Sequence, residues 1–199
     1  MRRKPQRTRS KRRADSTEAI FESSSAKLKP GHGWRSRPGY GVFSFGRGDL
    51  MFETPTDWVI LPGVKSVKFH DREPPDDQVT LEVSLIIVPP RDWSNLPLVP
   101  LMRGAGRFSG VEAPPESIIE VERIGLSYCW YEYTGIDEVE QRPAIYRTCF
   151  ARDNAHHAIF SFAFWPEDRE RFSPVWFAVL DSIQFGQRFK DPLIGPTLH

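Results

Sequence analysis

Ala158-Ile-Phe-Ser-Phe-Ala-Phe-Trp165, Pro166, a charged turn, then Phe172-Ser-Pro-Val-Trp-Phe-Ala-Val-Leu-Asp-Ser-Ile-Gln-Phe185 is the stretch that decides the fold of this 199-residue chain. It reads as a strand, a proline stop, an amphipathic helix and a short apolar return. Ser173 suits the N-cap, with Pro174 at the first helical position, where a missing N–H costs nothing. Phe172 is placed to staple against Phe177 across that cap. Val175, Trp176, Val179, Leu180 and Ile183 recur at helical spacing and make one apolar face. The strand leads straight into the helix, so that face must lie on a sheet, and Ile183-Gln-Phe185 returns to the sheet edge.

Upstream, period-2 alternation supplies the rest of the sheet. Gln78–Val88 sets Val79, Leu81, Val83, Leu85 and Ile87 against Thr80, Glu82 and Ser84. Leu50–Glu53, Trp58–Leu61 and Val64–His70 are shorter candidates, broken by the Pro62-Gly63 turn. Ser117–Ile124, which is either a strand of its own or the front of a longer one reaching Tyr133, Leu126–Tyr133, Ala144–Ala151 and His156–Trp165 read as an antiparallel meander. Between these groups, residues 89–115 carry Pro89, Pro90, Pro97, Pro100, Pro114 and Pro115. Leu96, Leu98, Val99, Leu101 and Met102 suit one helical turn, and Pro97 and Pro100 argue against a long helix. A connection of this length reads as a lid or a partner-binding loop.

The net charge of +1 hides an asymmetry. Arg2, Arg3, Lys4, Arg7, Arg9, Lys11, Arg12 and Arg13 stand at the start with no acid among them. Of the 27 basic residues eight lie there, so the remainder carries 19 against 26 acids, a net of −7. These eight side chains are the candidate polyanion contact, for nucleic acid or an anionic surface; the alternative is a solvated arm without a dedicated partner. The Gly/Arg/aromatic run Gly31–Asp49 has the composition of a base-stacking segment or of a connector whose aromatics pack back on the domain. No apolar run approaches the ~18 residues that cross a membrane, and no apolar stretch follows the basic start, so a cytoplasmic protein is expected.

Chemistry-bearing motifs are few. There is no Gly-x-Ser-x-Gly, Walker-type loop or dinucleotide fingerprint. His156-His157 are adjacent on a strand and point to opposite faces, which does not suit a shared metal. Asp76-Asp77 and Asp137, Glu138 and Glu140 read as acidic turns. With the hairpin centred near residue 139, Cys129 and Cys149 face each other, either as a disulfide or two-thiol site or as two small buried residues in a reducing compartment. No catalytic residue, cofactor or metal ligand is identified, and an enzyme ranks behind the two binding readings.

Phe52-Glu-Thr-Pro-Thr-Asp-Trp58 resembles the Phe-x-x-Pro-x-x-Trp opening of PsbP-like domains, and Phe177-Ala-Val-Leu-Asp-Ser-Ile-Gln-Phe185 resembles their closing helix and strand. That superfamily includes the extrinsic photosystem II protein, a Ran-binding import factor and chaperones of type VI secretion effectors. The resemblance implies an α+β fold: an antiparallel sheet of about six or seven strands with helices on its faces, an α/β/α sandwich. It also implies a binding or assembly role without catalytic residues. The chain departs from the family at 89–115, where a helix is usual. The expected organisation is a basic, Gly/Arg-rich extension over 1–42, one domain over 43–188 and a tail over 189–199. The expected function is protein binding or assembly with another protein as partner; the alternative is nucleic-acid association through the basic tail.

Overall fold

The computed structural model describes residues 28–93, 95–108 and 117–195. Ten strands and two helices make two antiparallel sheets: β1 (Tyr40–Phe45), β2 (Leu50–Pro55), β3 (Val59–Pro62), β4 (Val67–His70), β5 (Val79–Ile87), α1 (Leu98–Phe108), β6 (Ile119–Arg123), β7 (Leu126–Ile136), β8 (Pro143–Arg152), β9 (His156–Phe164), α2 (Arg169–Ser182) and β10 (Gln184–Phe185). The large sheet runs β3-β4-β5-β9-β8-β7-β6, and the small one β1-β2-β10. The expected α+β architecture and its seven-stranded antiparallel sheet are therefore present.

β9 sits at the centre of the large sheet. Alternation sends Ala158, Phe160, Phe162 and Phe164 to one face, here called inner, and Ile159, Ser161 and Ala163 to the outer face. The inner row is covered by α2 and by the small sheet, whose Phe45, Leu50, Phe52 and Phe185 join the same core. Phe52 meets Phe69 and Phe160 edge-on, with ring centroids 5.5 and 5.4 Å apart. Trp176 of α2 is fully buried and stacks on Phe162. On the outer face α1 covers only the β7 side, where Leu98 and Met102 pack on Cys129 and Tyr131.

The apolar face foreseen for α2 is correct, but its start is not. The helix begins at Arg169, directly after a 3-10 turn over Pro166–Asp168. The initiating proline is Pro166, behind an extended Trp165. Pro174 lies inside the helix, and the carbonyl it cannot serve belongs to exposed Glu170. Ser173 caps nothing; its hydroxyl accepts a hydrogen bond from Arg147. Phe177 is 46% exposed and Phe172 is buried against Phe164 and Trp58, so no staple joins them.

The proline-rich stretch also differs from expectation. Residues 98–108 form an eleven-residue helix. Pro97 precedes it and Pro100 is its third residue. The first four helical N–H groups have no intrahelical acceptor, so neither proline costs a bond. The long loop with at most one helical turn expected over 89–115 is thus replaced, over 98–108, by a helix.

The second half of the glycine-rich run folds as β1 and the turn into β2, with its aromatics packed back on the domain. β1 starts at Tyr40, ahead of the anticipated edge at 43, and Phe43 and Phe45 enter the core rather than standing free to stack on bases. Gly48 closes the hairpin at φ +99, and a side chain there would meet the Gln187 carbonyl. The Lys29 amide donates to Leu193 O, the Gly33 amide to Ile194 O, and Trp34 packs on Phe189. The described parts of the two terminal segments therefore lie against each other.

The register of the β7–β8 hairpin corrects the cysteine pairing. Cys129 lies opposite Phe150, and Trp130 opposite Cys149. One residue of slip turns a side chain to the other face. Cys149 is in the inner core and Cys129 under α1, both free and buried. Burial pushes the Cys129 thiol up to about 12 and Cys149 well above its ordinary value. Alkylation should accordingly be slow for the native chain and label two thiols in denaturant, whereas a disulfide would leave none. Trp176→Ala should cost about 3–5 kcal/mol in denaturant unfolding.

Candidate functional site

The outer face of the large sheet is where the described residues leave backbone-supported surface without a covering element. Cross-strand register builds it row by row. Ser84, Ile159, Phe150 and Cys129 stand abreast on β5, β9, β8 and β7. The next row is Glu82, Ser161, Thr148 and Tyr131, and the one after it Thr80, Ala163, Tyr146 and Tyr133. In the second and third rows β7 carries a tyrosine while β9 carries a small residue, Ser161 or Ala163. The result is a shallow trough with Ser84, Ser161, Ala163 and Thr148 on its floor.

Its walls are aromatic. Tyr131 stacks on Tyr133 and Tyr133 on Tyr146, with centroids 5.6 and 5.1 Å apart. Burial raises the pKa of all three phenols, and Asp137 adds to the rise at Tyr146, so they stay protonated at neutral pH. At one end Trp93 packs on His157, which also meets Phe150, and the Arg91 guanidinium lies 3.6 Å over the Trp93 ring. Burial lowers the His157 pKa, with Arg152 adding to the effect, so this imidazole is neutral at pH 7. Ile86 and Ile159, 51% and 38% exposed, lie beside it.

At the other end the trough opens to a cleft of about 320 Å³, lined by Thr80, Ala163, Trp165, Asp77, Asp137 and Glu140 among others. The acidic turns read separately from the sequence thus meet in one place. Their carboxylates are also local braces. Asp77 takes hydrogen bonds from Thr80 at 3.1 Å and lies 2.8 Å from His70 Nδ1. Asp137 accepts the Val139 and Glu140 amides. Arg142 lies 3.9 Å over Trp165 at the rim. The face offers hydroxyls, aromatic surfaces and exposed isoleucines, with carboxylates at the cleft end.

Other singled-out residues lie elsewhere. His156 and His157 point to opposite faces as expected; His156 stacks on Phe185 with Nδ1 2.9 Å from Asp153. Arg2, Arg3, Lys4, Arg7, Arg9, Lys11, Arg12 and Arg13 fall outside the described residues. No helix among the described residues is long and apolar enough to cross a membrane. The trough escaped sequence reading because Ser84, Thr148 and Ser161 look like the ordinary polar half of an alternating strand. The one signal was that the outward positions near the end of β9, Ser161 and Ala163, are small.

A buried charge holds the inner side of the same strands. Arg147 of β8 is 3% exposed and donates to Glu132 at 2.8 Å and to Ser173 at 2.8 Å, with Trp130 and Phe164 around its guanidinium. Arg169 also binds Glu132. Burial alone would raise the Glu132 carboxyl, but these two arginines outweigh it and hold its pKa below the ordinary value. A depressed acid contributes stability that is present above the unfolded-state pKa and lost as pH falls through the folded one. Glu132→Gln should therefore lower stability at neutral pH, by about 3 kcal/mol. It should also flatten the loss of stability below pH ~4.5 in unfolding curves taken at a series of pH values.

The family model described as Alr1449 matches residues 41–189. A protein of Nostoc sp., described as uncharacterized protein alr1449, is 35% identical over 170 residues, covering 84% of this chain and 88% of its own length. Among solved structures, cyanobacterial PsbP (CyanoP) of Synechocystis sp. aligns over 82% of this chain and 98% of its own, at TM-score 0.53 and 12% identity. A Bacteroides thetaiotaomicron chain aligns over 72% of this chain and 46% of its own, at TM-score 0.49 and 12% identity. At this level of identity the CyanoP alignment demonstrates a PsbP-like fold and nothing finer.

Proposed function

This chain belongs to the Alr1449 family, and from that premise we propose that it is a non-enzymatic binding or assembly module that holds a segment of another protein in the outer trough. The observation that supports this reading is a sheet whose two faces are unequally covered. The inner face is closed by α2 and the small sheet, while the described residues leave the β5–β9 half of the outer face open beside a tyrosine wall. Exposed isoleucines beside aromatic side chains form the apolar centre of a contact patch, and Ser84, Ser161, Thr148 and the acidic cleft supply its polar surround. The PsbP-like fold fits this use because its sheet carries a spare face without needing a catalytic group. The free thiols agree with work in the cytoplasm.

A photo-crosslinking residue placed at Ser161 of the full chain, in lysate of the source organism, should give a discrete adduct. The same residue at Glu170, on the solvent side of α2, should not. Ile86→Lys with Ile159→Lys should remove the adduct while leaving the melting curve within a few degrees. Equal crosslinking from both positions, or none from Ser161, would sink the reading.

The charge asymmetry favours a second contact, between the eight basic residues of 1–13 and a polyanion. Retention on single-stranded nucleic acid should fall steeply with salt and disappear on deletion of residues 1–13. The Ser161 adduct should survive that deletion.

A further inference from the structure

We infer that the free edge of β6 is a strand-addition site for an extended segment of another protein in which lysine or arginine alternates with apolar residues. This surface is separate from the trough. β6 ends the large sheet, and its inner side pairs β7 from Ile119↔Trp130 to Arg123↔Leu126. Among the described residues no backbone hydrogen bond reaches its outer side. A strand in that state presents a row of donors and acceptors to any extended chain. The opposite edge of the sheet is less suited: β3 has four residues and ends in Pro62, which has no N–H to donate.

The two faces of β6 carry different chemistry. Glu120 and Glu122 are exposed on the outer face; Glu122 accepts the Ser127 hydroxyl at 2.6 Å through one oxygen, and neither forms an ion pair among the described residues. Ile119, Val121 and Arg123 lie on the inner face, with Arg123 drawn back over the Tyr128 ring to Asp181. There Ile119, 48% exposed, stands opposite Trp130, whose ring meets the exposed Phe177 of α2 at 5.8 Å. An added strand therefore meets two carboxylates on one side and an apolar shelf on the other. Opposite charges directly across a ladder stabilise it, and like charges destabilise it. A second copy fits poorly. Antiparallel pairing about Val121 sets Glu120 against Glu122 twice; a one-residue slip sets Ile119 against Glu122 in one direction, and in the other sets Val121 against Glu122 beside a Glu120–Arg123 pair. The two glutamates thus select against self-pairing and for a basic strand.

The test uses the isotopically labelled full chain and a short capped peptide alternating lysine with valine. Amide shifts are expected on residues 119–130, with binding that weakens as salt rises. A peptide with glutamate in place of lysine should bind about tenfold more weakly or worse. Glu120→Lys with Glu122→Lys should reverse that preference. The milder Glu120→Gln with Glu122→Gln should lose about threefold and flatten the salt dependence. Ile159→Lys should leave peptide binding unchanged, so failure here and failure of the trough are distinguishable. Shifts confined to the trough, equal affinity for the two peptides, or self-association through β6 seen by sedimentation would each overturn the proposal.

Discussion

The structure depends on one buried row. Ala158, Phe160, Phe162 and Phe164 all leave β9 on the same side, and none is accessible to solvent. Burying an aromatic side chain contributes about 1.5–3 kcal/mol, but only if something covers it. β9 is flanked by β5 and β8, so its row is continuous with Val79, Leu81 and Val83 on one side and with Ile145, Cys149 and Ala151 on the other. Covering that span takes both α2 and the small sheet, which is why β10, after the last helix, returns to pair with β2 far upstream. The Ser182 hydroxyl, which receives the Glu53 amide, ties the two covering pieces together.

The consequence for function is geometric. One face carries the core, so the other is partly released from that duty. α1 uses the β7 side of the outer face for a small second core, and the β5–β9 side is left uncovered among the described residues, with Ser84, Ser161 and Ala163 beside exposed Ile86 and Ile159. The same division explains the tolerance of Arg147 within the core. Its charge meets a carboxylate, a serine hydroxyl and aromatic faces, and it joins β7, β8 and α2 at one point. A buried charge with such partners specifies one arrangement of these elements more than it adds to stability.

What was legible in the sequence followed from regular periods. β5, the β7–β8 hairpin, β9 and the apolar face of α2 each repeat long enough for the period to stand out, and the matching opening at Phe52–Trp58 belongs to β2 and the turn after it. What misled was punctuation. Glycines suggested a connector where β1 forms, although Gly41 sits within a regular pairing with Thr54. Prolines suggested a loop where α1 forms, because a proline in the first turn looks like a breaker until the helix boundary is known. Pro174 suggested a helix start for the same reason, although Pro166 already supplies one.

The candidate site was the least legible part. Its floor is made of residues whose types are unremarkable in strands, and its acidic cleft joins turns about sixty residues apart. Cys129 and Cys149 show the limit most sharply, since a one-residue difference in register moves them from facing partners to opposite faces. The sequence by itself determined the strand and helix periods, the apolar faces and the charge asymmetry, because these are properties of neighbours along the chain. Register, strand order and which face stays open were decided only by the tertiary structure. They depend on how the phenylalanine row of β9 is covered, and the residues that cover it come from both ends of the chain.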